Sequence, residues 1–202
     1  MVKDPTSLWT LTAAQFRDRV ASIDPTPGGG SVSIVTAVLA VASIHKGIAV
    51  SLKKPTADSV RYKSLLDILS KTASLMASLS ELADADSQAF QDYLAASALP
   101  KATEGEKAIR KAAKEAGLVR ATEVPLEAAV EMGRVFEFIE AATGLVDAHV
   151  RSEVLAGGML IRASIRSVLF SVDANLPGIF DAAVRTALKL QRDELESALT
   201  AF

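Results

Sequence analysis

The stretch Gly30-Ser31-Val32-Ser33-Ile34-Val35-Thr36-Ala37-Val38-Leu39-Ala40-Val41-Ala42-Ser43-Ile44-His45-Lys46-Gly47-Ile48-Ala49-Val50-Ser51-Leu52 decides the fold. Its apolar residues recur on nearly every side of a helical wheel, which places the segment at the centre of a helical bundle. The most apolar part, Ser31 to Ile44, ends at His45 and Lys46, short of the roughly 18 residues a membrane span requires. A buried core helix is the reading, not a membrane helix.

Punctuation on both sides isolates this helix. Asp24-Pro25-Thr26-Pro27-Gly28-Gly29-Gly30 precedes it, and Lys53-Lys54-Pro55-Thr56 breaks it. Upstream, Thr12-Ala13-Ala14-Gln15 is a capping box opening a short helix with Phe16, Val20 and Ile23 on one face. Downstream, Leu65, Ile68, Leu69, Leu75, Leu79, Leu82, Phe90 and Leu94 predict one long helix from Asp58 to about Ala98. Thr103-Glu104-Gly105-Glu106 is a second capping box, and helical patterning then runs to about Ala142, with Pro125 expected to kink or interrupt it near Thr122–Val124. A fifth helix is predicted over about Val150–Val172 and a last one over about Phe180–Leu199. No run alternates with period two without also fitting a helix. The fold is therefore read as all-α, an antiparallel bundle of five or six helices, several long, forming a single domain over residues 1–202.

Composition agrees with that reading. The chain has 202 residues, 50% of them hydrophobic but only 5% aromatic, so its core is aliphatic and suited to close helix packing. With 22 Lys and Arg against 24 Asp and Glu and no basic stripe, nothing supplies a nucleic-acid footprint. Zero cysteines exclude disulfides, thiol nucleophiles and Cys-ligated zinc, and two distant histidines, His45 and His149, make no metal site. Lys3, Asp4 and Pro5 stand where a signal peptide needs a basic tract followed by an apolar run. A cytoplasmic location is expected.

Chemistry has two candidate seats. The turn Pro27-Gly28-Gly29-Gly30-Ser31 lets backbone approach a ligand closely, and the helix start behind it offers unpaired N–H groups to an anion; alternatively the glycines serve a flexible turn or tight packing. Asp84 and Asp86 are the second. Two residues apart on a helix, they diverge by about 200°, so they cannot share one cleft. Asp86 shares a face with Leu82 and Phe90, which predicts partial burial, a raised pKa and a capacity for proton transfer, while Asp84 shares its face with Ser80 and Gln88 and is read as secondary. A surface or capping charge is the alternative for both. His45 and Lys46 suit either a base and cation in a cleft or the solvent-facing end of a helix. Arg162, Arg166 and Asp173 read first as an ion-pair stripe and second as a carboxylate-binding pair.

Taken in order, Asp24-Pro25-Thr26-Pro27-Gly28-Gly29-Gly30-Ser31-Val32, Asp84-x-Asp86-x-x-Ala89-Phe90, Leu99-Pro100-Lys101-x-Thr103-Glu104-x-Glu106-Lys107 and Val124-Pro125-Leu126-Glu127 resemble the methenyltetrahydrofolate cyclohydrolase and formiminotetrahydrofolate cyclodeaminase family. The resemblance implies an all-helical homodimer acting on the one-carbon bridge of a tetrahydrofolate derivative, with no covalently bound cofactor and no metal. It implies catalytic roles for Asp86 and Asp84, and substrate binding by Gly28, Gly29, Gly30, Ser31, Lys101 and Asn175. The sequence departs from the family pattern at Ala49-Val50-Ser51, Leu145, Glu153, Ser171 and Asp173, where amides are lost and acid is gained. A helical dimer that keeps the fold but binds another ligand or a protein partner is the alternative function. In the dimer, Ala37, Ala40, Ser43 and Gly47 are expected to permit close approach of a second subunit.

Overall fold

Both threonine caps form as their spacing predicts. Gln15 N–H donates to Thr12 Oγ1 at 3.2 Å while Gln15 Oε1 accepts from Thr12 N–H at 2.8 Å. Thr103 and Glu106 repeat the exchange at 3.2 and 2.9 Å. A computed structural model describes residues 7–53 and 58–200, so Lys3 to Pro5 and most of the Lys53–Thr56 break lie outside the described residues.

From these starts the chain builds α1 (Ala13–Val20), α2 (Gly29–Leu52), α3 (Ser59–Ser97), α4 (Glu104–Gly133), α5 (Ile139–Leu145), α6 (Arg151–Asn175) and α7 (Ala182–Thr200), with no strand among the described residues. The seventh helix arises because the segment expected to run to Ala142 divides at a 3-10 turn, Arg134–Glu137. Pro125 does not interrupt α4, which passes through it to Gly133. At the amino end, α1 stops at Val20, so Ile23 never joins its face and stands fully exposed.

The four long helices α2, α3, α4 and α6 form a ring in which each packs on two neighbours. Cross-links give the register and show every neighbouring pair to be antiparallel. Ser31 meets Asp86 and His45 meets Thr72 between α2 and α3. Ser33 meets Ser167 and Ser43 meets Glu153 between α2 and α6. Ser78 meets Glu131 and Ser97 meets Arg110 between α3 and α4. The amino end of α2 therefore faces the carboxyl halves of α3 and α6.

Small residues set how close α2 and α6 come. Ala37 and Ala40 are fully buried, and Gly47 lies against Val154. A Cβ on Gly157 would sit 2.5 Å from Ile44 Cγ1 and 2.8 Å from the Ala40 carbonyl oxygen, distances no side chain tolerates. The small positions expected to receive a second subunit are thus spent on the chain's own α6, and Ser43 is spent on Glu153. By length and composition α2 and the span Ala148–Gly178 would each suffice to cross a membrane, so Ser31–Ile44 understated the extent of α2; half of its apolar window is buried within the bundle.

Gly157→Ala should lower stability by about 1–3 kcal/mol, the usual cost of overpacking, and drop Tm by several degrees. Gly105→Ala, where an added Cβ meets nothing within 4 Å, should leave Tm unchanged or slightly higher. Equal melting temperatures for the two variants would contradict this packing.

Candidate functional site

The turn before α2 has an explanation different from conformational freedom. None of its glycines has a positive φ, and Gly28 is extended at φ −94°, ψ −170°. Space is what they supply. A Cβ on Gly30 would lie 2.7 Å from both carboxylate oxygens of Asp86, whereas one on Gly29 would meet nothing within 4 Å. Gln91 Nε2 donates to Thr26 Oγ1 at 2.9 Å and ties the turn to α3.

Asp86 comes from α3 to the first turn of α2, where no side chain of the turn itself caps the helix. Its Oδ2 accepts from Ser31 Oγ at 2.6 Å, and the Ser31 backbone N–H donates to the same carboxylate. Burial raises its pKa above the usual aspartate value, and the two Ser31 bonds offset part of that rise by favouring the charged form. A carboxylate so placed holds and releases protons nearer neutrality than a solvated one.

Around it lies a cavity of about 220 Å³ lined by Pro25, Thr26, Gly28 to Ser31, Asp86, Ser87, Phe90, Ala121, Ser171, Ala174 and Asn175. Two of the four motifs, the glycine turn and the Asp84–Phe90 segment, border it together with Asn175, and α4 contributes Ala121. Asn175 Nδ2 donates to the Ala121 carbonyl oxygen at 3.0 Å. Phe90 contacts the Tyr93 ring, centroids 6.1 Å apart, and Lys114 Nζ lies 5.9 Å from the Tyr93 centroid.

Other sequence candidates fall elsewhere. Asp84 points to the amino-terminal segment, where its oxygens accept from Ser7 Oγ at 2.6 Å and Leu8 N–H at 2.8 Å. It is half-buried and lies outside the cavity lining. Lys101 is exposed in the turn after α3 and absent from the lining; from Asp86 to the end of α3 at Ser97 (97 − 86 = 11 residues) is already about 16 Å of helix axis. His45 Nδ1 pairs with Thr72 Oγ1 at 2.9 Å, and Lys46 pairs with Glu153 at 2.9 Å, about 21 Å along α2 from Ser31. The expected Arg162–Arg166–Asp173 stripe does not form. Asp173 is held by Arg192 of α7 at 2.8 and 2.9 Å, and Arg162 reaches the Leu199 carbonyl and the Phe136 ring.

Among the positions that depart from the family pattern, only Ser171 lines the cavity. The charge of Asp173 is taken up by Arg192, so it does not repel an anionic ligand as its sequence position suggests. Ala49, Leu145 and Glu153 lie towards the other end of α2. A larger concavity, about 1300 Å³, opens between α3, α4 and α7, but Glu81, Glu123, Glu127, Glu131 and Glu194 border it against a single Arg120. That field disfavours anions, although Ala85, Leu126 and Glu127 of two motifs border it, and neither Asp86 nor the glycine turn does. Among the described residues no cluster of three His, Asp or Glu suits a metal ion.

Residues 12–194 match the formiminotransferase-cyclodeaminase family, and the chain belongs to it. A methenyltetrahydrofolate cyclohydrolase of Methylorubrum extorquens is 29% identical over 172 residues, covering 85% of this chain and 82% of that protein. The formimidoyltransferase-cyclodeaminase of Gallus gallus is 29% identical over 185 residues, 89% of this chain but 33% of that protein. This chain therefore spans about a third of the length of such longer relatives. The fold matches a formiminotetrahydrofolate cyclodeaminase structure from Thermotoga maritima with a TM-score of 0.82 at 24% identity, over 96% of this chain and 92% of that one.

Gly30→Ala should displace Asp86 and lower both stability and ligand affinity, while Gly29→Val should fill open space and weaken ligand binding with Tm nearly unchanged. Thermal unfolding with and without ligand separates the two, and equal stability losses would mean both glycines serve packing. Asp86 also makes stability pH-dependent. Its folded pKa lies above the unfolded value of 3.8, so its contribution is fully present below that pH and is lost as pH rises through the raised value. Urea unfolding between about pH 3.5 and pH 7 should therefore shift in favour of Asp86→Asn over the natural protein as pH rises. A difference that does not change with pH would contradict it.

Proposed function

We propose that this chain is a folate one-carbon enzyme, acting on the methenyl or formimino bridge of a tetrahydrofolate derivative, with Asp86 as the proton carrier. The observation that carries the proposal is the half-buried Asp86 carboxylate at the glycine-lined start of α2, in a cavity of about 220 Å³ with few charges.

The two reactions of the family place the same demand on that carboxylate. In hydrolysis, the water oxygen bonds to the methenyl carbon as a water proton passes to Asp86. One carbon–nitrogen bond then breaks, the released nitrogen takes a proton, and the remaining proton goes to solvent. In deamination, a folate nitrogen attacks the carbon of the protonated formimino group and gives its own proton to Asp86, which returns it to the resulting NH2 group so that the carbon–nitrogen bond breaks, ammonia leaves and the methenyl bridge remains. Each path needs a group that accepts and gives back one proton near neutral pH, which a desolvated carboxylate does. Ser31, Ser171 and the Asn175 amide oxygen supply polar contacts for a heterocycle, and the first turn of α2 favours anionic parts of the ligand. Asp84 acts by holding the amino-terminal segment on α3, and Lys101 lies too far along the bundle to join in the first contacts.

We also propose a cytoplasmic homodimer. Leu39 on α2 and Leu155, Met159 and Phe170 on α6 are between 52% and 74% exposed, a large apolar face on two adjacent helices that leads to the cavity at Ser171 and Ala174. A second subunit on this face would bury it and lie beside the ligand.

Asp86→Asn should lower turnover of 5,10-methenyltetrahydrofolate or 5-formiminotetrahydrofolate by about 100-fold or more with little change in affinity, and Asp84→Asn should do less. Comparing the two substrates distinguishes hydrolysis from deamination. Binding of neither by the folded protein would favour the helical dimer with another ligand. Met159→Glu should convert a dimer into a folded monomer by light scattering, and a natural protein already monomeric at micromolar concentration would refute the assembly.

A further inference from the structure

Pro125 is buried in the middle of α4, where a proline is costly because it cannot donate to the carbonyl four residues earlier. That carbonyl belongs to Ala121, which lines the cavity. Asn175, the last residue of α6, fills the vacancy by donating Nδ2 to the Ala121 oxygen at 3.0 Å. An asparagine amide is bifunctional, and committing its NH2 group to a carbonyl determines which end remains. The end that remains is Oδ1, an acceptor with no protein partner among the described residues, on a side chain that borders the cavity.

We propose that Pro125 is a positioning residue: by withholding an N–H from Ala121 it fixes the Asn175 amide so that Oδ1 faces the ligand and selects an edge bearing an N–H donor. The proposal rests on the reading of this cavity as the folate site. With an N–H restored at position 125, Ala121 would return to ordinary helical bonding and the amide would rotate freely, presenting NH2 or C=O with equal ease. An N–H on the ligand would then lose its fixed acceptor.

Pro125→Ala restores that N–H and favours the helix, which offsets the packing lost with the buried ring. In the Pro125→Ala protein the Asn175 side-chain amide protons, assigned by their loss in Asn175→Ala, should exchange with solvent several-fold faster than in the natural protein. KM for the better of the two tetrahydrofolate substrates should rise about five- to tenfold, the value of one neutral hydrogen bond, with kcat within about twofold. The double variant Pro125→Ala/Asn175→Ala should be no worse than Asn175→Ala alone. A proline serving only α4 would alter Tm and leave both exchange and KM unmoved; that result, or KM effects that multiply in the double variant, would overturn the proposal. If the natural protein turns over neither folate, the functional reading fails, and the exchange rates still decide whether Pro125 fixes Asn175.

Discussion

The carboxylate of Asp86 caps the start of α2 from across the bundle, and the site is arranged around that contact. A helix start presents unpaired N–H groups and partial positive charge, and a residue of the preceding turn usually answers them. Here the turn is glycine and proline, and a neighbouring helix answers instead. The contact requires Gly30 to lack a side chain, Ser31 to carry a hydroxyl, and α2 and α3 to run antiparallel in a register that brings residue 31 to residue 86. Desolvation raises the proton affinity of the carboxylate and the helix start restrains the rise. The result is a half-buried acid that remains able to ionise.

The rest of the bundle holds this register. Gly157 lets α6 close on Ala40 and Ile44, and that close approach brings Ser171 and Asn175 to the same end as the glycine turn. Asp84 pins the amino-terminal segment to α3 on the side away from α2. Two aspartates two residues apart thus meet different partners, one the amino-terminal segment and one the start of α2, because a helix turns them to different neighbours. Similar logic applies to Pro125 and Asn175, where a missing donor in one helix is supplied by a side chain from another.

What was legible in the sequence was what neighbouring residues decide. The capping boxes at Thr12 and Thr103, the all-round apolarity of Gly30–Leu52 and the placement of Asp86 between Leu82 and Phe90 all follow from spacing within one helix. Features that depend on a partner far along the chain were not. Asp173 belongs to Arg192 rather than to the arginines of its own helix, and Ala121 finds Asn175 54 residues away, which lets α4 continue through Pro125. Ala37, Ala40 and Gly47 read as an open small-residue face, but no local signal says that the chain's own α6 occupies it. Lys101 entered by resemblance, and the length of α3 carries it away from the cavity.

The most direct measurement is the titration of the Asp86 side-chain carboxyl by carbon-13 resonance in the ligand-free protein, assigned by its loss in Asp86→Asn. Desolvation at the start of α2 predicts a midpoint above that of an ordinary aspartate, and higher still in Ser31→Ala, where the hydroxyl no longer favours the charged form. A midpoint at or below the ordinary value, insensitive to Ser31, would contradict a desolvated proton carrier at this site.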